Sequence, residues 1–304
     1  WRSPELGRSG KTASEPHEVD LWSRSHPTVR PTPRPIDRVH SLDQPLLATV
    51  ASSEIVEPSA IAERIDPDGE VVAAETGRWI HSPAYPLFRK LNCLFDVDSE
   101  LQDLSALVAE VERLALRDHV PFRHITGVTT NWQAHVPHRL IDLGWEVRWE
   151  RLMFAQPTEH TDALDASLRL ERRREATRET PWLTGIALGD DARGLRVAAD
   201  ATPVIGGEWV QVFVDGQLAG SGGWFEVGSV RRLRRLFVPV WAQDRGVGRA
   251  IVAAALDDAA VKRMSGIVAN VPIDATPDWV DTLGFVTVAY VWRAHHPAQD
   301  PTSV

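Results

Sequence analysis

The sequence predicts an α/β protein of two similar units, each a mixed β-sheet flanked by helices, preceded by a flexible N-terminal arm. Predicted strands and helices alternate along the chain, and their order repeats in the second half. A helix–glycine–strand segment also occurs twice, as R-L-I-D-L-G-W-E-V (139–147) and D-W-V-D-T-L-G-F-V (278–286). Gly144 and Gly284 each follow a short apolar helix, where a helix-ending glycine belongs. The alternative is that this common helix–glycine–strand pattern occurs twice by chance.

The arm and the two units have approximate boundaries. Residues 28–35 read T-V-R-P-T-P-R-P, and prolines at this density favour an extended, solvated chain. We therefore assign residues 1–35 to a flexible arm, 36–157 to the first unit and 158–304 to the second.

The first unit shows a strand–helix–strand–helix–strand order. Its strongest element is an amphipathic helix that begins at Asp98 or Ser99 and ends near Asp118, with apolar residues recurring every three or four positions. The other predicted elements are a short helix at Pro58–Ile65, strands at Glu70–Glu75, Gly77–His81, Leu91–Val97, His124–Thr129 and Glu146–Ala155, and a short helix that ends at Leu143.

The second unit repeats that order with additional elements in front. Asp215-Gly216 is a hairpin turn signal between two apolar strands. The predicted elements are helical segments at Asp162–Thr180, strands at Trp209–Val214, Gln217–Trp224, Val230–Val238, Ser265–Val271 and Val286–Trp292, and helices at Gly246–Arg263 and Trp279–Leu283.

Composition and charge exclude several classes of function. With a formal net charge of −9, the chain is expected to bind nucleic acid poorly without sequence specificity, and to attract cationic amines mildly. No apolar stretch is long enough to span a bilayer, and no signal-peptide pattern opens the chain. The single cysteine, Cys93, excludes an intrachain disulfide, and no Cys/His spacing suggests a metal site. We expect a cytoplasmic monomer or homodimer without a metal.

The run most informative about chemistry is L-F-V-P-V-W-A-Q-D-R-G-V-G-R-A at residues 236–250. It predicts a strand, a loop and then a helix with Gly246 and Gly248 in its first turn. A helix N-terminus presents unpaired N–H groups and partial positive charge, and glycines let a bulky anion approach them closely. Gln243, Arg245 and Arg249 flank this point, so the run predicts a pyrophosphate site.

This run resembles the acyl-CoA signature Q/R-x-x-G-x-G/A of the GNAT (GCN5-related N-acetyltransferase) superfamily. The match is Gln243–Gly248 without a gap, and Trp279–Phe285 resembles the family's short helix and L-G-F motif. The resemblance covers roughly Asp162–Ala294. It implies that acetyl-CoA, or another acyl-CoA, binds as co-substrate at Phe237, Val238, Val240, Gln243, Asp244, Arg245, Gly246, Val247, Gly248, Arg249 and Ala250.

The first unit resembles the family only as a degenerate copy, over Leu91–Ala155. The segment before its long helix, Asp96–Asp103, reads D-V-D-S-E-L-Q-D and contains no glycine. Its carboxylates would repel a pyrophosphate, so we expect this copy not to bind CoA.

The catalytic residues implied by the resemblance are less well matched. Family enzymes often protonate the leaving thiolate with a Tyr three residues before L-G-F, where this chain has Val280. The position seven residues earlier, often Asn in the family, holds Ile273, and Asn270 lies nearby. The nearest carboxylates for a general base are Glu226 and Glu208. The catalytic candidates are therefore Glu226, Glu208 and Asn270.

Three functions remain open. The first is an N-acetyltransferase that transfers acetyl from acetyl-CoA to an amine of a small-molecule or peptide acceptor. The second is a non-catalytic acyl-CoA-binding sensor or interaction module. The third is a tandem GNAT-like transferase with another activated donor, against which the intact glycine loop argues.

Four other groups of residues have less specific roles. The arginines either reach the 3′-phosphate of CoA or an acidic acceptor or, more in keeping with the pattern, form a solvated or salt-bridged face. For the tryptophans the sequence favours core or rim packing over lining an acceptor pocket or contacting the adenine. Cys93 is expected to pack as a small hydrophobic residue, and the histidines to have surface or capping roles rather than to bind a metal. The groups are Arg231, Arg232, Arg234 and Arg235; Trp224, Trp241 and Trp292; His119, His124, His135 and His138; and Cys93.

Overall fold

The computed structural model describes residues 39–64, 66–86, 89–157, 167–173, 207–273 and 278–297; the predicted arm lies outside them. The helices of these residues are α1 (Gln44–Arg64), α2 (Leu104–Arg117), α3 (His135–Asp142), α4 (Val247–Val261) and α5 (Asp278–Thr282), with 3₁₀ turns at Arg89–Leu91 and Val240–Arg245. The strands are β1 (Glu70–Ala73), β2 (Arg78–His81), β3 (Cys93–Phe95), β4 (Phe122–Thr129), β5 (Glu146–Ala155), β6 (Leu168–Arg173), β7 (Glu208–Val214), β8 (Gln217–Val227), β9 (Val230–Phe237), β10 (Gly266–Pro272) and β11 (Val286–Pro297).

Two predicted helix starts were wrong because side-chain caps set the actual ones. Helix α1 begins at Gln44, well before Pro58, because Asp43 Oδ1 accepts the Leu46 N–H at 2.8 Å. Helix α2 begins at Leu104 because Asp103 Oδ1 accepts the Ala106 N–H at 2.9 Å. Of the residues predicted to open this second helix, Ser99 and Glu100 lie in a turn and Gln102 in a bend.

The helical prediction for Asp162–Thr180 was wrong over Leu168–Arg173, which is strand β6; the rest of that range lies outside the described residues. The run L-R-L-E-R has the two-residue alternation of a strand, and it pairs antiparallel with β7. Strand β11 also continues past the predicted end at Trp292, to Pro297, because it pairs along the whole of β4.

The described strands form one sheet in which the last strands of the two halves are exchanged. The order is β1-β2-β3-β4-β11-β5-β10-β9-β8-β7-β6. Strand β11, at the C-terminal end, lies between β4 and β5 of the first half. Strand β5, in turn, pairs with β10 of the second half from Ile267↔Ala155 to Pro272↔Glu150. Each half therefore completes the sheet of the other.

Helices cover the sheet unequally. One face, here called the helix face, carries α2 and α3 over the first half and α4 and α5 over the second, in two apolar clusters. The opposite face, here called the α1 face, carries α1, whose Val50 packs with Leu152, Val268 and Val291. Cys93 is buried on this α1 face beside Ile55, as its predicted strand position implied.

Buried arginines bind both helical layers to the second half of the sheet. On the α1 face, Glu54 forms ion pairs with Arg232 of β9 and Arg293 of β11, and Arg234 pairs with Glu57 at 2.8 Å. On the helix face, Arg231 pairs with Asp258 of α4. The prediction of a salt-bridged face is confirmed for these three arginines of β9, but their side chains are buried rather than solvated.

The histidine pair His124 and His295 makes stability dependent on pH. Burial, followed by the charges around it, holds the pKa of His124 well below its ordinary 6.5, and burial with Arg89 nearby lowers the pKa of His295 to about 4. Below about pH 6.5 these two histidines are protonated in the unfolded chain but remain neutral in the native state. The free energy of unfolding therefore falls as the pH decreases. The slope per histidine cannot exceed about 1.4 kcal/mol per pH unit.

We expect the free energy of unfolding in urea to be lower at pH 5 than at pH 7.5, a window above the range in which the carboxylates titrate. His124→Leu should flatten this dependence, because both ring nitrogens are buried without a hydrogen-bond partner in the described part of the chain, so their removal orphans no described group. An equally steep dependence in His124→Leu would show that other groups cause it.

Candidate functional site: a split between two parallel strands

Strands β9 and β10 are parallel but pair over a short distance only. Their pairing runs from Val230↔Gly266 to Arg232↔Val268 and then stops. Beyond this point β9 continues beside β8, with a bulge opposite Gly222, while β10 continues beside β5. The two strands therefore diverge toward their carboxyl ends, and the facing backbone edges are available to a linear ligand.

The loop predicted to bind pyrophosphate begins at the open end of this split. After β9, Val238 and Pro239 lead into the 3₁₀ turn at Val240–Arg245, which is closed by the Ala242 N–H donating to the Pro239 carbonyl at 2.8 Å. Ala242 is fully buried and anchors the turn. Phe237 and Val240 contribute their backbone to β9 and to the turn, and their side chains lie outside the described residues.

Helix α4 follows with an N-terminus that its cap residue leaves open. Gly246 is the N-cap, with φ 70° and ψ 10°, and it provides no side-chain oxygen for the first-turn N–H groups. The left-handed backbone explains a glycine at this position. A Cβ at Gly248 would be 3.7 Å from Val238 Cγ2 and 3.6 Å from Trp279 Cδ1, so this glycine lies directly between the loop and α5.

The remaining residues of the loop divide into anchors and exposed polar groups. Val247 and Ala250 are buried in the core and fix the first turn of α4. Gln243, Asp244 and Arg245 are exposed, and Arg249 is partly buried. The Arg245 guanidinium contacts Asp215 Oδ2 weakly, at 3.5 Å, and both side chains are largely exposed, so an anion at the helix end can compete for it.

In the first half, the helix N-terminus at the equivalent loop is capped by a side chain, and the space beside the loop is occupied. Strands β3 and β4 also pair in parallel at one position, Leu94↔Ile125, but the helix that follows is capped by the carboxylate of Asp103. The indole of Trp292 packs against Gly127 and donates to Ser99 Oγ at 2.9 Å, which fills the space beside this loop. That the first half does not bind CoA stays a prediction.

Comparison with known proteins identifies the fold. No family model matches the sequence, and no curated protein matches it. Among solved structures, a GCN5-related N-acetyltransferase from Kribbella flavida superposes with a TM-score of 0.54 at 16% identity, covering 82% of this chain and 98% of that one. The chain has the GNAT fold. The predicted resemblance is confirmed at the level of fold.

Two further solved structures share this fold, and one of them is described as a tandem GNAT protein. A tandem GNAT protein from the clavulanic acid biosynthesis pathway has a TM-score of 0.50 at 11% identity and covers 76% of this chain and 79% of its own. A conserved protein of unknown function from Staphylococcus epidermidis has a TM-score of 0.57 at 11% identity, covering 76% and 95% respectively. At these identities the likeness concerns the fold alone.

The two carboxylates considered as bases lie at the wrong end of this GNAT fold. Glu226 and Glu208 both contact Lys262, at 3.1 and 3.2 Å, just past the C-terminus of α4. Since α4 has 15 residues, this point is about 22 Å from the glycine loop. Burial acts to raise the pKa of Glu226, but the hydrogen bond from Lys262 and the charge of Arg231 hold it below its ordinary value. Their position argues against either as the catalytic base.

Asn270, in contrast, lies at the split. It is two residues beyond the last β9–β10 pair, and its Nδ2 donates to Glu150 Oε2 at 2.7 Å. The sequence pointed to no role for Glu150, because this residue belongs to the first half and reaches the split only through the exchange of β5. Val280, at the position where family enzymes often have the acid, is buried in the core and carries no proton to donate.

The other candidate groups are distributed as follows. Trp224 and Trp292 are buried, as core packing predicts, whereas Trp241 lies on the 3₁₀ turn and is 44% exposed, so it does not belong to the core. Among the described residues, no group of three or more His, Cys, Asp or Glu side chains is arranged to hold a metal. None of the described helices is long and apolar enough to cross a membrane.

Proposed function

We propose that this protein is an acyl-CoA-dependent N-acyltransferase that transfers acetyl from acetyl-CoA to an amine. One observation carries the proposal: the uncapped, glycine-started helix α4 begins at the open end of the β9–β10 split. A diphosphate fits the first-turn N–H groups beside Gly246 and Gly248, and a linear amide-containing arm fits between the diverging strands. Gln243, Arg245 and Arg249 would surround the phosphates.

The chemistry is a direct attack within a ternary complex. The neutral amine nitrogen bonds to the thioester carbonyl carbon, the C–S bond then breaks, and the proton lost by the amine ends on the leaving thiolate. A backbone N–H at the end of β9, near Val238, would stabilise the oxyanion. Because position 280 is valine, proton transfer falls to solvent or to a group at another position, and rate acceleration rests on alignment of the two substrates.

A non-catalytic acyl-CoA-binding module is the second candidate. The observation that favours it is the lack of an acid at Val280, together with Glu226 and Glu208 being held in ion pairs away from the split. Such a protein would bind acyl-CoA by the same loop and not consume it.

A single assay separates these candidates. The full chain is incubated with acetyl-CoA and a panel of primary amines, and thiol release and acetylated amine are measured beside acetyl-CoA binding by calorimetry. We expect binding together with amine-dependent thiol release. Binding without release for any amine would favour the module, and lack of binding would contradict both.

A further inference from the structure

The α1 face of the split carries two polar side chains that contact each other, those of Asn270 and Glu150. Val268 is the last residue of β10 that pairs with β9, and Asn270 is the next residue on the same face, about 7 Å further toward the open end. Glu150 of β5 is adjacent on that face, because β5 pairs with β10 there. Both side chains are partly exposed.

The contacts within this pair involve one oxygen of Glu150 and the amide nitrogen of Asn270. Asn270 uses its Nδ2 to donate to Glu150, while its Oδ1 is buried and has no hydrogen-bond partner among the described residues. The contacts of Glu150 with Asn270 Nδ2, at 2.7 Å, and with Arg293 Nη1, at 2.5 Å, are both made by Oε2. Neither contact uses Oε1, and 29% of the Glu150 side chain is exposed.

The charge state of Glu150 suits binding rather than proton abstraction. Burial acts to raise its pKa, but the guanidinium of Arg293, which also donates to it, lowers the pKa to about 2. The carboxylate is therefore ionised at any physiological pH and too weakly basic to take a proton from an amine. Its negative charge is balanced by Arg293, which Glu54 shares.

We propose that Glu150 Oε1 and Asn270 Oδ1 bind two N–H groups of the acceptor, which is a primary amine, and hold it on the α1 face of the split. The inference rests on the proposed function and adds to it an acceptor subsite. Two adjacent acceptors match a nitrogen with two N–H donors, whereas a hydroxyl or a secondary amine leaves one acceptor unpaired. Glu150 is a residue of the first half, so the subsite is completed by the exchanged strand β5.

The test uses the full chain with Glu150→Gln and Asn270→Ala. The probe is whichever of ethylamine, benzylamine and putrescine the wild type acetylates most efficiently. We expect the KM for the amine to rise at least about 10-fold in both variants, while the KM for acetyl-CoA stays within about 2-fold. Glu146→Gln is the matched control, since Glu146 lies on the same strand and pairs at the surface with Arg148.

Three other outcomes would overturn the proposed acceptor subsite. An unchanged amine KM in both variants, with acetyl-CoA kinetics also unchanged, would overturn the subsite and leave the acyltransferase proposal intact. An equal rise of both KM values, together with a lower melting temperature, would assign the pair a structural role. If the wild type binds acetyl-CoA and acetylates none of the three amines, both the subsite and the acyltransferase proposal fail.

Discussion

Replacement of Gly248 by aspartate is expected to weaken acetyl-CoA binding at least about 100-fold, or about 2.7 kcal/mol, while the protein stays folded. A Cβ at this position meets only ordinary van der Waals contacts, with Trp279 and Val238, so it adds no steric clash. Its carboxylate would then lie in the first turn of α4, where it stabilises the helix but repels the diphosphate. Gly246 is a poorer choice, because its positive φ adds backbone strain to any substitution.

Gly248→Ala is the matched control, since it adds the same Cβ without the charge. Calorimetric titration should give an affinity for acetyl-CoA within about 10-fold of the wild type for alanine and a much larger loss for aspartate. Equal losses in the two variants would indicate steric exclusion, and wild-type affinity in Gly248→Asp would remove the basis for placing the phosphates at α4.

The second half expressed alone, residues 158–304, is expected not to form a stable domain. Strand β5 lies between β10 and β11, and it forms hydrogen-bonded ladders with both. Its removal leaves β11 without a neighbour and exposes Val268, Val288 and Val291, which pack with Leu152 of β5. We expect no cooperative thermal transition and no acetyl-CoA binding.

Co-expression of residues 36–157 with residues 158–304 provides the control. If the defect is the missing strand, the two segments should associate and regain a cooperative transition and acetyl-CoA binding, because the sheet contacts do not need the covalent link. A second half that melts cooperatively and binds acetyl-CoA alone would contradict the shared sheet.

Turns were predictable from the sequence because their chemistry is local. Gly144 and Gly284 have φ of 85° and 70°, as helix-ending glycines do, and Asp215-Gly216 forms the predicted hairpin turn with φ of 52° and 79°. The exchange of β5 and β11 was not predictable, since the two strands follow the same helix–glycine pattern. Which partner each strand selects depends on packing between segments far apart in the sequence.

In the candidate site, too, the contiguous part was predictable from the sequence, and the part assembled from distant residues was not. The glycine loop is contiguous, so its sequence alone predicted an open helix N-terminus. Glu150 and Asn270 are separated by 120 positions and meet only across the exchanged strand. Glu226 and Glu208 were predicted as candidate bases because they are the nearest carboxylates in the sequence. Closeness in sequence does not determine at which end of a strand a side chain lies. The length of α4 separates them from the loop.

The central claim is that the chain has one acetyl-CoA site, located in the second half. Calorimetric titration of the wild-type full chain with acetyl-CoA tests it most directly. The account predicts saturable binding with a stoichiometry of one per chain. No measurable binding, or two sites per chain, would contradict it.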